Sequence, residues 1–266
     1  MWLRTSCTLK FILANPTPFI FMLRPRSGAQ QWVASECYTI SPPVQPIEFT
    51  DSYGNLCQRL IAPPGEFSIA TSADVMTADE IDVAVGAPFI EVQHLPDEVL
   101  TYLLPSRYCE SEKFFKMANE IVAKVDPGYD QVACITDWVK RNVKFDAQGS
   151  QAYMTAVDVN KQREGVCRDL AHLCIALCRA LCIPTRMVVG YLYELEPMDL
   201  HAWFEAYVGG RWYTFDATQA SPRGGRVTVG YGHDAANVAI FSQFGAALAP
   251  TEMMIQVERL ADGNVT

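Results

Sequence analysis

The sequence predicts an α+β protein: an N-terminal β-sandwich over residues 1–90, then helices packed on an antiparallel sheet. Three observations predict it. Residues 1–90 hold only short apolar runs, separated by clusters of proline, glycine and serine. From Glu112 the apolar spacing lengthens to that of a helix. After Pro184 the pattern returns to strands, two of them joined by Gly209-Gly210.

The elements follow in order. Residues 8–13, 19–23 and 32–40 read as strands, and 66–71 and 81–85 add two more. Asp51-Ser52-Tyr53-Gly54-Asn55 and Pro63-Pro64-Gly65 are turn signals between such runs. Residues 91–111, with Pro96, Pro105 and Ser106, read as a crossing linker to a second domain, 112–266. There Phe114, Phe115, Ala118, Ile121, Val122 and Val125 have helical spacing, and Pro127-Gly128 ends the run. A helix over 130–143 buries Val132, Ile135, Trp138 and Val139. A polar loop, 145–165, has room for one helical turn near 154–159. The next helix begins at Cys167 and runs to about Cys182, stopped by Pro184. Strands are expected at 186–193, 201–208 and 211–216, with shorter ones at 227–229 and 254–259.

The totals bound the function. A chain of 266 residues suits two domains and is ample for a core. A net charge of −9 makes it a poor polyanion binder, which argues against nucleic acid and anionic membrane as partners. No apolar run reaches the roughly eighteen residues of a membrane-spanning helix. The apolar patches of residues 11–23 are broken by Asn15, Pro16 and Pro18 and read as strands rather than a signal peptide. The nine cysteines include no C-x-x-C pair, and an odd number disfavours a disulfide framework, so a cytoplasmic location is expected.

Among those cysteines Cys167 stands apart. It lies in Gly165-Val166-Cys167-Arg168-Asp169, at the start of a long apolar helix. Helix N-terminal amides favour an anion, and a neighbouring imidazolium favours a thiolate further. The bland reading is one more small buried side chain. It suits Cys174, Cys178 and Cys182, whose spacing from Cys167 puts them on one packed stripe. Their spacing along a single helix makes a poor metal site.

His201 and Asp216 supply the rest. With Gly209-Gly210 as a two-residue hairpin turn, Val208 faces Arg211, Glu205 faces Thr214, Trp203 faces Asp216 and His201 faces Thr218. Paired residues share a face, so His201, Trp203, Thr214 and Asp216 point one way. Ala202, Phe204, Ala206, Val208, Tyr213 and Phe215 form the apolar face. His201 and Asp216 become diagonal neighbours, within hydrogen-bonding reach of each other's side chains. A carboxylate on one ring nitrogen fixes the tautomer and leaves the other nitrogen for the thiol. A pairing slip of one residue would separate them. Taken alone, the pair could merely tie two strands together. With Cys167 upstream, it completes a nucleophile, a base and an orienting acid.

The other histidines rank lower. His172 lies on the stripe Arg168/His172/Arg179, expected to be solvated or paired. His94 is in the linker, and His233 could border a cleft but reads first as a bound loop histidine. The Cys167 N–H is the natural first oxyanion donor. Gln148 and Tyr153 are candidates for the second.

Four blocks resemble the bacterial transglutaminase-like superfamily, whose members are often described as cysteine proteases. They are Gly-Val-Cys-Arg-Asp-Leu-Ala (165–171), Ile-Pro-Thr-Arg-Met-Val-Val-Gly-Tyr (183–191), His-Ala-Trp-Phe-Glu-Ala-Tyr (201–207) and Trp-Tyr-Thr-Phe-Asp-Ala-Thr (212–218). The tail, 227–238, and the N-terminal domain with its Asp-Ser-Tyr-Gly-Asn turn also look like that family. The resemblance implies a papain-like α+β core and a catalytic triad of Cys167, His201 and Asp216. It also implies a thioester intermediate formed on a peptide or protein amide, without a cofactor. The chain departs from the family in carrying Gly-His-Asp at 232–234 where Gly-Arg-Asp is usual, Asn237 where an acid is usual, and Ala217 in place of proline. Two rival readings are a catalytically idle module of the same fold used for protein binding, and a thiol redox or metal protein. The intact trio argues against the first and the absence of C-x-x-C against the second.

Overall fold

The computed structural model describes residues 1–147, 149, 153–246 and 248–261. Its N-terminal half is a β-sandwich of two antiparallel four-stranded sheets. Strands β1 (Trp2–Leu13), β2 (Thr17–Arg24), β3 (Gln31–Ser41), β4 (Ile47–Thr50), β5 (Leu56–Ala62) and β6 (Gly65–Thr77) supply most of both. Alternation drives it. Along β1, Leu3, Thr5, Cys7, Leu9, Phe11 and Leu13 are buried while their neighbours are less so. Phe11 meets Phe19 of the facing sheet with ring centroids 5.0 Å apart, and Phe19 stacks on Phe67 at 6.0 Å.

Residues 81–85, expected as a strand, are irregular, and Val83 and Val85 are exposed. Their alternation meets no partner edge, so β propensity alone does not order them. The segment that follows carries α1 (Asp97–Leu100). The expected helix of residues 114–125 is shorter, α2 (Phe115–Ile121), with Phe115 exposed.

Then come α3 (Tyr129–Asn142), β7 (Lys144–Phe145), α4 (Ala156–Gln162), β8 (Glu164–Gly165) and α5 (Cys167–Ala180). Helix α5 is the centre of this half. It packs on α2, α3, α4 and on a sheet ordered β11-β10-β9-β12, and its residues from Asp169 to Arg179 are all buried. That sheet is built from β9 (Thr185–Leu192), β10 (His201–Val208), β11 (Arg211–Phe215) and β12 (Arg226–Gly232). The β10–β11 register is the expected one: Val208 pairs with Arg211 and Glu205 with Thr214. Gly209 and Gly210 both have positive φ, +57° and +88°, as a tight hairpin turn requires.

The C-terminal strands do not stay with this sheet. β13 (Phe241–Gln243) pairs with β2, and β14 (Glu252–Arg259) pairs with β1, so the tail completes both sandwich sheets. The boundary read from sequence, which kept the tail within 112–266, therefore cuts across two sheets. Sequence distance hid partners some two hundred residues away.

The two halves dock through β12, an edge strand. Gln31 donates from Nε2 to the Thr228 carbonyl and accepts the Thr228 N–H at Oε1, at 2.9 and 2.7 Å. Asn55 does the same for Tyr231, both at 2.8 Å. Thr77 Oγ1 donates to the Arg226 carbonyl at 2.7 Å. Side-chain amides of the sandwich thus stand in for a neighbouring strand and satisfy an edge that burial would otherwise leave unpaired.

Candidate active site

Cys167 is the first residue of α5 and is partly exposed. The local sequence explains the entry. Val166 N–H donates to Asp169 Oδ2 at 3.2 Å, so the fully buried Asp169 closes the N-terminus of the helix. Arg168 Nε in turn donates to Asp169 Oδ1 at 3.1 Å. Gly165 is needed because a Cβ there would meet the Asp169 Cβ at 2.8 Å. The Cys167 N–H is one of the helix's first amides and has no acceptor within the helix.

His201 opens β10, and Asp216 follows the last residue of β11. His201 Nε2 donates to Asp216 Oδ2 at 2.7 Å. Cys167 lines the same cleft as His201, and the thiol adds to the rise of the imidazole's pKa. With Nε2 taken by the carboxylate, Nδ1 is the ring nitrogen left for sulfur. Cys167, His201 and Asp216 therefore converge.

The electrostatics are those of an ion pair held out of water. His201 is 1% exposed and the Asp216 carboxylate is buried. Burial alone would lower the His201 pKa, but the Asp216 charge and hydrogen bond outweigh it, with Cys167 adding to them, and raise it to about 9. Burial pushes Asp216 the other way, toward protonation. His201, Arg226 and Thr218 overcome that and hold its carboxyl well below the usual range.

Asp216 is fully satisfied. Oδ2 also accepts from Arg226 Nη2 at 2.9 Å. Oδ1 accepts from the Thr218 N–H at 2.9 Å and Thr218 Oγ1 at 2.7 Å. Trp203 lies against the His201 ring, centroids 6.0 Å apart, and the Arg226 guanidinium sits 5.0 Å above the indole. Arg226 is the residue that sequence reasoning missed. No spacing rule marks it, although an arginine at a strand start ten residues after the candidate acid was a signal.

The remaining expectations divide. His172, expected to be solvated or paired, is fully buried and paired. Its Nδ1 donates to the Met154 carbonyl at 3.1 Å, and Nε2 accepts the Ala235 N–H at 3.2 Å. Burial pushes its pKa down to about 4, so it is a neutral structural histidine. Arg179 is likewise buried and donates to the carbonyls of Leu104, Thr185 and His233, tying the 91–111 segment to the core. His233 contacts Thr101 Oγ1 at 2.8 Å, away from Cys167. Cys174 and Cys178 are buried as expected, and burial raises both thiols, Cys178 to about 12. Cys182 is not: the helix ends at Ala180, and Cys182, with φ +60°, is exposed. Of the two further oxyanion candidates, Gln148 lies outside the described residues. Tyr153 lines the cleft, its ring stacked on Tyr108 and covered by the Arg168 guanidinium at 4.4 Å. Among the described residues no cluster of acids, histidines and cysteines could hold a metal ion, and no helix is long and apolar enough to cross a membrane.

Cys167 and His201 open into a cleft of about 710 Å³, within the range of small-ligand and peptide sites. This geometry has counterparts. Residues 116–217, which include Cys167, His201 and Asp216, match the family model of the transglutaminase-like superfamily. The crystal structure of a "putative cysteine protease" from Cytophaga hutchinsonii superposes with a TM-score of 0.90 and 36% identity, covering 98% of this chain and 91% of that one. An uncharacterized protein from Mycobacterium leprae, ML0607, is 26% identical over 98% of this chain and 100% of its own length. By sequence and by fold, the chain belongs to the transglutaminase-like superfamily.

Proposed function

We propose that the protein is an enzyme of cysteine-dependent acyl transfer on a peptide or protein amide, with Cys167 as nucleophile, His201 as acid–base and Asp216 as orienting acid. One observation carries the reading. A partly exposed thiol at a helix start lines the same cleft as an imidazole held by a buried, fully hydrogen-bonded carboxylate.

In the first step His201 Nδ1 takes the Cys167 thiol proton and the sulfur adds to the amide carbonyl carbon. The carbonyl oxygen becomes an oxyanion facing the Cys167 N–H. The C–N bond then breaks, and the proton on His201 Nδ1 goes to the leaving amine. The product is a thioester on Cys167 and a free amine. In the second step His201 takes a proton from water or from an incoming amine, which attacks the thioester. The carboxylic acid or a new amide is released, and the proton returns to sulfur. Asp216 stays ionised throughout and compensates the imidazolium. The nine free thiols fit a reducing compartment, which supports a cytoplasmic location.

The test is incubation of a glutamine-containing peptide with a labelled primary amine. Label in the peptide means transamidation. Release of ammonia or a cleaved amine without label means hydrolysis. Neither product, with no thioester adduct by mass spectrometry, contradicts the reading.

A further inference from the structure

The cleft is not evenly built. One set of lining residues, among them Phe145, Val166 and Arg168, leads into Cys167. The rest of the lining is contributed by segments that do not carry the thiol. Residues 195–200 run directly into His201. Residues 238–241 follow β12, and 248–253 precede or begin β14. Much of what these segments offer is apolar: Leu200, Ile240, Leu248 and Met253 all line the cleft. None of the four is fully buried, and Met253 is 43% exposed. They are brought together by the return of the tail to the sandwich. Met253 pairs with Leu9, and Lys10 closes on Glu252 at 2.9 Å. Apolar side chains converging from distant parts of a chain beside a nucleophile form a binding surface, because folding alone would bury them.

The same lining carries two carboxylates, Glu196 and Asp199, on the loop before His201, and one cation, Arg168, which is paired with Asp169. An acid on the occupant would meet like charge, while an apolar group would displace water from Leu200, Ile240, Leu248 and Met253.

We infer that the amide attacked by Cys167 is carried by a peptide whose adjoining residue is bulky and apolar rather than acidic, and that this side chain seats on Leu200, Ile240, Leu248 and Met253. The inference rests on the proposed function and adds its substrate class. The occupant is a peptide because the cleft floor holds the thiol that must reach a carbonyl. A free apolar ligand would leave Cys167 and His201 without a role.

The experiment measures kcat/KM on peptides identical except for the residue next to the reporter amide, comparing leucine, phenylalanine and methionine with glycine, lysine and glutamate. Alkylation of Cys167 titrates the competent thiol in each sample. The expected result is a preference for the apolar set of roughly tenfold or more, since one or two methylenes in such a pocket are worth that much. In Met253→Glu and Leu248→Glu the preference shrinks, with the loss concentrated on apolar peptides. Both variants change partly exposed residues and are compared per titrated thiol, so a folding defect in either does not mimic the effect. Turnover without apolar preference, or a preference unchanged in both variants, overturns the inference and leaves the acyl-transfer reading standing. No turnover of any peptide by a thiol that still alkylates removes both.

Discussion

Arg226 Nη2 lies 2.9 Å from Asp216 Oδ2, the same oxygen that accepts His201 Nε2 at 2.7 Å. A buried carboxylate shared between an imidazole and a guanidinium stays ionised, because its two cationic neighbours offset the desolvation cost. Removing the guanidinium leaves Asp216 one charged donor short. In Arg226→Met the carboxyl pKa rises and the hold on His201 weakens. A charged hydrogen bond of about 1.5–3 kcal/mol corresponds to a roughly ten- to hundredfold loss in kcat/KM. Arg226→Lys recovers part of it. The check is rate per titrated Cys167 across pH: an altered pH profile supports the positioning role, whereas lower yield with an unchanged rate per thiol contradicts it.

Asp216→Asn removes the charge that raises His201. Burial is then opposed only by Cys167, and the His201 pKa falls from about 9. Proton NMR of the imidazole reads this directly. The sign for stability follows from the same shifts. A histidine with a raised folded pKa contributes stability that is fully present below 6.5 and lost as pH rises through about 9. Asp216, lowered, contributes stability above its ordinary 3.8 that is lost as pH falls. The stability gap between wild type and Asp216→Asn in urea unfolding is therefore widest between these limits and narrows toward alkaline pH. A gap independent of pH contradicts the ion pair.

His172 behaves in the opposite way. It is neutral and holds the Met154 carbonyl and the Ala235 amide. His172→Ala strands both groups and costs about 2–6 kcal/mol, the sum of two unsatisfied partners. Alkylation of Cys167 per folded molecule is retained, since His172 does not touch the thiol's imidazole. Urea unfolding and labelling, measured on the same sample, separate the two effects.

The edge of β12 makes the sandwich part of the site's support. Asn55→Ala leaves the Tyr231 N–H and carbonyl without their partner and costs about 1–3 kcal/mol per group. Because Arg226 begins the same strand, the variant also loosens the guanidinium that holds Asp216. Hydrogen exchange of the Tyr231 amide speeds up in Asn55→Ala, and no change there would contradict the docking role of the side-chain amide.

The parts of the site that were legible in the sequence are those fixed by local chemistry. Gly209-Gly210 permits only a tight hairpin, and that register puts Glu205 opposite Thr214 and brings Asp216 beside His201. Gly165 and Asp169 mark the helix start at Cys167 for reasons confined to a few residues. The parts that were not legible depend on distant surroundings. The polar stripe of α5 read as solvated or paired, and the sequence could not name the partners: α5 is buried from Asp169 to Arg179, and Arg179 and His172 find backbone carbonyls from loops that no periodicity reveals. Arg226 reaches Asp216 only because β12 is held in place by Gln31, Asn55 and Thr77 of the other half. The alternation of residues 81–85 had the look of a strand but no partner, while β14 had a partner at the far end of the chain.

The central claim is that the shared imidazole makes Cys167 chemically distinct from the other eight thiols, and alkylation tests it most directly. One equivalent of iodoacetamide at about pH 6, with the modified residue located by mass spectrometry, is expected to label Cys167 first. His201→Ala slows that labelling while leaving the exposed Cys37 and Cys182 as they were. Equal reactivity of Cys167, Cys37 and Cys182 in the wild type, unchanged by His201→Ala, would contradict the account.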